Sequence, residues 1–263
     1  MWFFSKKTTI ATSGILQGAT DHHSHILPGV DDGVETIAES LRILATYETL
    51  GIKELWLTPH IMEDIPNTSQ KLAARFNELK AAYTGNITLH LAAEYMIDNH
   101  LRKLLQNFCP SCARGASDTV VEGDGILTKE KNERLLPIGT TGKHILVETS
   151  YYNAPIRLND TLQQIKSLGY FPLLAHPERY MYLDNAEYLK LHSQGVKFQL
   201  NLASLAGGYG KAVQKKALWL LSNGLYSVCG SDLHCEDAIE FITKCKLGKQ
   251  EMKQLEQLLH KSI

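Results

Sequence analysis

The stretch LNDTLQQIKSLGYFPLLAHPER, residues 158–179, predicts a complete helix–strand unit. Its first half places apolar residues three and four positions apart, at Leu158, Leu162, Ile165 and Leu168. This spacing is typical of one apolar helix face. Gly169 then offers a helix C-cap, and the apolar run 171–175 predicts a buried strand. The strand runs directly into His176, whose imidazole can bind a metal ion or carry a proton.

The same alternation recurs along the chain. Short apolar runs predict seven strands, at 19–23, 54–58, 87–92, 144–149, 171–175, 197–202 and 225–230. Amphipathic helical patterns lie between them, and a closing helix is predicted around Met252 to Leu259. Alternating strands and helices indicate an α/β fold of parallel strands with right-handed crossovers. Seven such units favour a closed or nearly closed barrel, although an open doubly wound sheet remains an alternative.

Polar residues follow the predicted strands at their carboxyl ends. They are His23 and His25, His60, Glu94, Glu148, His176, and Asp232 with His234. His23 and His25 are two apart, so in extended backbone they point the same way. The carboxyl ends of parallel strands meet at one rim of a barrel, where active sites are built. This pattern predicts that the side chains converge on metal ions.

Each of these residues also has a plainer interpretation. A single His60 could be an ordinary loop residue, Glu148 could face solvent, and Asp232 could cap a helix. All of these explanations would have to hold together, and each would have to place its residue at the same end of a strand. We therefore favour a shared metal cluster. Six other histidines do not fit the pattern and are left out: His22, His90, His100, His144, His192 and His260.

Imidazole and carboxylate ligands favour zinc, manganese or iron over copper(I) or iron–sulfur clusters. The candidate ligands are more numerous than one ion uses, so two or three divalent ions are expected. Clusters of this kind lower the pKa of bound water and stabilise both oxygens of a phosphoryl displacement.

Composition narrows the class of protein. The chain has 263 residues, 44% of them hydrophobic, and a formal net charge of -1. This is an ordinary globular composition, and one domain over 1–263 is expected. The neutral charge disfavours a nucleic-acid partner. No run approaches the roughly 18 apolar residues of a membrane span, so stable membrane insertion is not expected. We expect the protein to lie in the cytoplasm. Five cysteines in a chain of this size are expected to be reduced thiols.

Residues 107–142 interrupt the alternation of strands and helices. The segment is rich in Gly, Ser, Thr and charged residues and has weak periodicity. A connection this long inside a compact domain is usually functional or mobile. We interpret it as an insertion, either a lid over the site or a loop with no chemical role.

Several short motifs occur together in one order along most of the chain. They are the HxH of His23 and His25, DDG at 31–33, TPH at 58–60, AE at 93–94, AHPERY at 175–180 and SDLH at 231–234. In this combination the chain resembles the polymerase and histidinol phosphatase (PHP) superfamily. Within it, the chain resembles the bacterial protein-tyrosine phosphatases of capsule and exopolysaccharide operons.

The resemblance implies a distorted seven-stranded (β/α)7 barrel carrying three metal ions. It assigns His23, His25, Glu94 and Asp232 to the first ion, Glu94 as a bridge with Glu148 and His176 to the second, and Asp32, His60 and His234 to the third. Arg179 matches an arginine that binds the phosphate in these enzymes. A second arginine that often follows the SDxH motif in these enzymes is missing from HCEDAIEF at 234–241, so this loop has no arginine with which to bind phosphate.

The expected reaction is hydrolysis of phosphotyrosine, with His234 or the third ion assisting departure of the phenol. The resemblance suggests the tail of a cognate bacterial tyrosine kinase as partner. Three alternatives remain: a small phosphoester such as histidinol phosphate as substrate, a regulatory binder without turnover, and a cysteine-based phosphatase. The last is disfavoured because the sixth residue after Cys235 is Phe241, where a phosphate loop needs arginine.

Overall fold

The computed structural model of the chain describes residues 7–108 and 133–263. The strands are β1 (Thr8–Thr9), β2 (Thr20–Ser24), β3 (Glu54–Leu57), β4 (His60–Ile61), β5 (Thr88–Leu91), β6 (Glu94–Met96), β7 (His144–Glu148), β8 (Phe171–Ala175), β9 (Lys197–Asn201), β10 (Val228–Gly230) and β11 (Lys246–Leu247). The helices are α1 (Ile10–Ser13), α2 (Ile37–Leu50), α3 (Ser69–Ala82), α4 (Asn99–Asn107), α5 (Leu158–Ser167), α6 (Asn185–Ser193), α7 (Leu202–Ala206), α8 (Lys211–Ser222), α9 (Asp237–Thr243) and α10 (Lys249–Leu259). A 3-10 turn spans Pro177–Arg179.

Most strands belong to two parallel sheets. Six form a curled sheet in the order β10-β9-β8-β7-β6-β4, and three form a second sheet in the order β2-β3-β5. β1 and β11 pair antiparallel at the periphery. The prediction of a mixed α/β fold with parallel strands is confirmed. The described strands form two parallel sheets rather than one continuous sheet of seven.

The division into two sheets has a local cause. The predicted second strand breaks after Leu57 and resumes at His60 as β4, and the predicted third strand breaks after Leu91 and resumes at Glu94 as β6. Pro59 lies in the first break and has no amide hydrogen for the ladder. His60 and Glu94 therefore begin short strands of their own, opposite each other in register, instead of following strand ends.

Strand β2 and His25 after it lie beside the segment that follows β10. The amide of His25 donates to the carbonyl of Leu233 at 2.9 Å, and the amide of Asp232 donates to the carbonyl of His23 at 2.8 Å. These hydrogen bonds bring the HxH motif against the SDLH motif, although more than 200 residues separate them in the sequence.

Both faces of the central strands are buried. Leu146 and Leu173 pack in one apolar cluster with Trp56, whereas their neighbours Val147 and Leu174 pack in the larger cluster that includes the helices. Because successive strand residues face opposite sides, burial on both faces requires the continuous apolar runs seen in the sequence.

Helix α2 shows why the amphipathic segments end where they do. Thr36 and Glu39 form a capping box at its start, and Gly51 closes it in the left-handed conformation at φ 87°. Ile43 and Leu44 are buried on its inner face. The helix thus packs into the larger apolar cluster through this face.

Part of the predicted insertion lies outside the described residues, since 109–132 are not described. The lid interpretation for that part stays a prediction, and Met1 to Phe4 also lie outside. The returning segment contacts helix α3 and strand β6: Ser69 donates its amide to Glu133 at 2.7 Å, and Leu136 donates its amide to the Tyr95 hydroxyl at 2.8 Å. Among helices in the described part of the chain, none combines the length and apolarity that crossing a membrane requires.

Candidate metal centre

The nine predicted ligands meet at the carboxyl rim of the strands. Seven are buried: His23, His25, His60, Glu94, Glu148, His176 and Asp232. The other two lie at the opening, where the side chains of Asp32 and His234 are 64% and 31% exposed. These residues form three groups that could hold metal ions: His25, Asp32, His60 and His234; His23, Glu94, His176 and Asp232; and His60, Glu94 and Glu148.

Four donor atoms lie unusually close together at the centre of the site. Nε2 of His23 lies 3.0 Å from Nε2 of His25, 3.2 Å from Oε2 of Glu94 and 3.3 Å from Oδ1 of Asp232. His25 Nε2 lies 3.3 Å from each of the same two oxygens. Four donors each about 2.1 Å from one ion are separated from one another by about 3.0–3.4 Å. These five separations are therefore of the size expected between donors to one ion, and His23, Glu94 and Asp232 belong together to one of the three groups above.

The neighbouring donors are arranged somewhat differently from the assignment that the resemblance implies. Glu94 reaches His176 Nε2 through Oε1 at 3.0 Å, so its two oxygens face different imidazoles, as a bridging carboxylate requires. Glu148 lies 3.8 Å from His176 but only 3.1 Å from Nδ1 of His60. His60 is thus shared between Glu148 on one side and Asp32, at 3.5 Å, on the other.

The outer group surrounds Asp32. Its Oδ1 lies 3.4 Å from Nε2 of His234, and the ring of His234 stacks on that of His25 with centroids 4.1 Å apart. Nδ1 of His234 donates to the carbonyl of Asp232 at 2.9 Å. In the neutral ring this hydrogen bond leaves Nε2 without a proton and able to accept.

Two buried donor atoms have no hydrogen-bond partner among the described residues. They are Oε2 of Glu94 and Nδ1 of His60, which face each other at 3.3 Å. A buried carboxylate oxygen without a hydrogen bond is costly unless it meets a cation. The donor set and these two atoms fit divalent metal ions.

A layer of residues behind the donors fixes their orientation. His25 Nδ1 donates to Oδ2 of Asp31 at 2.8 Å, and that oxygen also accepts the amide of His60 at 3.0 Å. His23 Nδ1 donates to Oε1 of Gln199 at 3.0 Å. Such partners orient ligating imidazoles and hold Nε2 toward the metal. Sequence reasoning missed Asp31 and Gln199, although Asp31 stands in the DDG motif that signalled Asp32.

Asp21 joins the two halves of the rim. Its buried carboxylate accepts the amide of His23 at 3.1 Å, the amide of Ser231 at 2.8 Å and the hydroxyl of Tyr47 at 2.9 Å. Burial raises the pKa of this carboxyl, and the hydrogen bonds partly offset that effect. Asp21 thereby links the strand that carries the HxH motif to the segment that carries Asp232.

The backbone is strained at two of the donor residues. His176 has φ 34° and Asp232 has φ 54°, both in the left-handed region. A residue other than glycine costs about 1–3 kcal/mol in such a conformation, and these costs concentrate at functional sites. The strain turns both side chains into the cluster at the points where β8 and β10 end.

Charge coupling in the cluster is strong. Burial alone would raise the pKa of Glu94, but the charge of His23 and the hydrogen bond from His176 hold it well below its usual value. Burial likewise lowers the pKa of His23, yet Glu94 and Asp232 outweigh it and raise that pKa to about 9. Without a cation, the carboxylates are therefore compensated by protonated imidazoles.

The cluster forms the floor of a cleft of about 520 Å³. Arg179 lines this cleft, as its predicted role in phosphate binding requires, and its Nη1 donates to Oδ2 of Asp232 at 3.0 Å. The rings of Tyr151 and Tyr209 flank the guanidinium. None of the six histidines excluded on sequence pattern lines this cleft in the described structure.

Comparison with known proteins agrees with this geometry. The family model for capsular polysaccharide synthesis, CpsB/CapC, matches residues 19–122 and 116–255. The putative tyrosine-protein phosphatase CapC of Staphylococcus aureus is 25% identical over 236 residues, which cover 89% of this chain and 84% of the relative. The tyrosine-protein phosphatase CpsB of Streptococcus pneumoniae is 27% identical over 251 residues, covering 89% and 93%.

The fold is similar to that of a solved relative. A structure from work on YwqE of Bacillus subtilis and CpsB of Streptococcus pneumoniae, described as metal-dependent tyrosine phosphatases, superposes with a TM-score of 0.68 at 22% identity and covers 91% of this chain and 94% of its own. That likeness concerns the fold, whereas the family match covers most of the sequence. The chain belongs to the CpsB/CapC family of capsular polysaccharide synthesis proteins.

Proposed function

We propose that this chain is a metal-dependent phosphatase that hydrolyses phosphotyrosine on proteins. Its substrate would be a cognate bacterial tyrosine kinase that controls capsule or exopolysaccharide synthesis. Two relatives carry the name tyrosine-protein phosphatase and span most of the chain. The observation that carries the proposal is a close approach of donor atoms: the Nε2 atoms of His23 and His25 lie 3.0 Å apart, and each lies 3.2–3.3 Å from Oε2 of Glu94 and Oδ1 of Asp232.

The ligand assignment is part of the same proposal. Two or three divalent ions of manganese, iron or zinc would be held by His23, His25, Asp32, His60, Glu94, Glu148, His176, Asp232 and His234. Glu94 would bridge, because its two oxygens face different imidazoles. The two parallel sheets would together form the wall of a distorted seven-stranded barrel around this floor.

Divalent ions in such a site lower the pKa of water and stabilise charge on phosphoryl oxygens. The protein adds a fixed positive charge at the same place. Arg179 lies beside Asp232 with its side chain 15% exposed, and its remaining N–H groups can donate to phosphate oxygens. Because the cleft is partly closed from water, this interaction is stronger than it would be in solution.

Departure of the tyrosine needs little assistance. A phenol has a pKa of about 10, so it leaves more readily than an alcohol. His234 lies at the opening, with Nδ1 bound to the carbonyl of Asp232. With Nε2 free of a proton, His234 would assist by holding the third ion near the departing oxygen; to act as an acid in place of that ion, the ring would need a proton on Nε2.

The proposal is tested by measuring metal content per chain together with hydrolysis of a phosphotyrosine peptide. We expect activity after manganese loading, its loss on chelation and its return when metal is restored. Histidinol phosphate serves as the comparison substrate. Faster turnover of histidinol phosphate would assign a small-molecule phosphatase instead, and bound metal without turnover of either substrate would assign a regulatory binder.

Metal affinity should depend on pH. Coordination requires neutral imidazole, but His23 has its pKa raised to about 9 by Glu94 and Asp232 in the metal-free protein, despite the opposing effect of burial. Below pH 9, binding must therefore displace at least one proton, and affinity should rise about tenfold per pH unit for each proton displaced. Competition titration with Mn²⁺ at pH 6, 7 and 8 measures this slope. Equal affinity at all three pH values would contradict the assignment of His23 as a ligand.

Cys235 is expected to be dispensable. It is exposed and lines the cleft, but the sixth residue after it is Phe241, so no arginine completes a thiol-based phosphate loop. Cys235→Ser should change kcat/KM for a phosphotyrosine peptide by less than about twofold, because the proposed reaction uses no thiolate. An inactive serine variant, combined with wild-type activity that survives chelation, would replace the metal mechanism with a cysteine mechanism.

A further inference from the structure

The guanidinium of Arg179 lies over the rings of two tyrosines. Its central carbon, Cζ, is 4.0 Å from the ring centroid of Tyr151 and 4.1 Å from that of Tyr209. Both distances are well inside the limit of about 6 Å for a cation–π interaction. We call this arrangement the arginine stack, meaning Tyr151, Arg179 and Tyr209.

Each tyrosine is delivered by a separate loop. Tyr151 lies in the loop after β7, three residues beyond Glu148, the last residue of that strand. Tyr209 stands in the turn Gly207-Gly208-Tyr209-Gly210, in which Gly207 has φ 90° and Gly210 has φ 89°. A Cβ on Gly208 would approach the ring of Phe241 to 3.0 Å. The turn therefore requires glycine on both sides of the tyrosine, which fixes where its ring can lie.

Few other contacts hold the guanidinium. Nη1 donates to Oδ2 of Asp232 at 3.0 Å, and that oxygen also accepts Nδ2 of Asn201 at 2.8 Å. An arginine side chain has many rotamers, and one ion pair leaves most of them open. Contact with two rings narrows the orientations open to the guanidinium and leaves its remaining N–H groups as the part that can reach a ligand.

Among the described residues that line the cleft, Arg179 is the one lysine or arginine. The segment after Asp232, 233–241, contains no arginine to share its task. A single cation must then be placed accurately to recognise phosphate, since a misplacement of about 1 Å can cost a hundredfold in rate.

We propose that Tyr151 and Tyr209 are positioning residues that hold the Arg179 guanidinium by cation–π contact, so that one arginine suffices for phosphate recognition. This proposal rests on the proposed phosphatase function. Tyr209 provides the cleaner test, because its ring is 40% exposed and its hydroxyl has only a long contact of 3.4 Å with Asn201 among those described.

The experiment compares Tyr209→Leu with Tyr209→Phe in the manganese-loaded protein. Leucine keeps apolar bulk but removes the π face, whereas phenylalanine keeps the face and removes the hydroxyl. Calorimetry measures the Kd for inorganic phosphate, and kinetics measures KM and kcat for p-nitrophenyl phosphate. We expect Tyr209→Leu to weaken phosphate binding and raise KM by about tenfold, and Tyr209→Phe to stay within about twofold of wild type. Tyr152→Leu, at an 86% exposed tyrosine outside the stack, is the matched control and should match wild type.

A comparison of double variants tests the proposal even where Tyr209→Leu alone has a small effect. In an Arg179→Met background, Tyr209→Leu should weaken phosphate binding no further, because its partner is gone. Equal losses in both backgrounds, or equal behaviour of the leucine and phenylalanine variants, would overturn the positioning role. If the wild type binds metal and phosphate but hydrolyses nothing, the phosphatase proposal fails while the calorimetric comparison still decides the role of the stack.

Discussion

Glu94→Gln is expected to release bound cations and to lower kcat/KM for a phosphotyrosine peptide by about a thousandfold or more, since metal ions contribute several kcal/mol to phosphoryl transfer. Glu94 is fully buried and lies within 3.3 Å of four imidazoles, those of His23, His25, His60 and His176. The glutamine has the same shape, so the loss would come from the missing charge. With one carboxylate fewer, the site has less negative charge with which to hold divalent ions.

The chain offers a closely matched control at Glu178. This glutamate is also fully buried, but its pKa is raised by burial, whereas that of Glu94 is held low. Glu178 accepts hydrogen bonds from the backbone amide of Asn201 and the hydroxyl of Tyr226, both at 2.9 Å. A glutamine can keep both contacts, because the hydroxyl can rotate to accept. Glu178→Gln should therefore retain metal and stay within about threefold of wild-type activity.

Metal analysis and single-turnover kinetics on the two glutamine variants separate charge from shape. If Glu94→Gln kept its full metal content, Glu94 could not be the bridging ligand. If both variants lost metal equally, the effect would reflect disturbance of the buried polar network rather than coordination.

Sequence pattern predicted which polar residues would meet at one rim because they follow a regular rule. His23 and His25 alternate on one strand, and His176 directly follows another, so the geometry of parallel strands is enough to bring them to one rim. The strand β8 was predicted with its observed limits, Phe171–Ala175, because both of its faces are buried and its sequence is continuously apolar.

The breaks in the second and third predicted strands were harder to foresee. Pro59 marks one break in the sequence, but no comparable signal marks the one at Ala92 and Ala93. At both points the strand passes from one sheet to the other, which depends on how the sheets curl rather than on local preference. His60 and Glu94 consequently face each other from paired strands, a relation that the sequence alone did not predict.

The supporting residues could not be identified from sequence for a different reason. Gln199 lies within a strand that is apolar on either side, and Tyr209 lies in a glycine-rich turn, so both have ordinary structural explanations. Their roles depend on contacts across the fold, with His23 and Arg179 respectively. The pattern of a single chain contains no signal for such distant pairs.

Arg179→Ala is expected to lower kcat/KM for a phosphotyrosine peptide by about a hundredfold to a thousandfold, the usual effect of removing one group that stabilises transition-state charge. Metal content should be preserved. In this variant Asp232 loses its contact with Arg179 at 3.0 Å. It keeps the hydrogen bond from the side-chain amide of Asn201, which donates to the same oxygen at 2.8 Å. Inhibition by inorganic phosphate should weaken together with catalysis, since the same guanidinium would recognise both.

Arg42→Ala supplies the control for this change. Arg42 also pairs with a carboxylate, that of Glu236 at 3.2 Å, but its side chain is 57% exposed and lies outside the cleft. An exposed pair of this kind contributes little, so activity should stay near that of the wild type.

The decisive comparison is between metal content and phosphate affinity in Arg179→Ala. Loss of metal with unaltered phosphate affinity in the remaining loaded protein would mean that Arg179 supports Asp232 rather than binding phosphate. Retained metal with weakened phosphate binding would place the guanidinium on the substrate, where the arginine stack directs it.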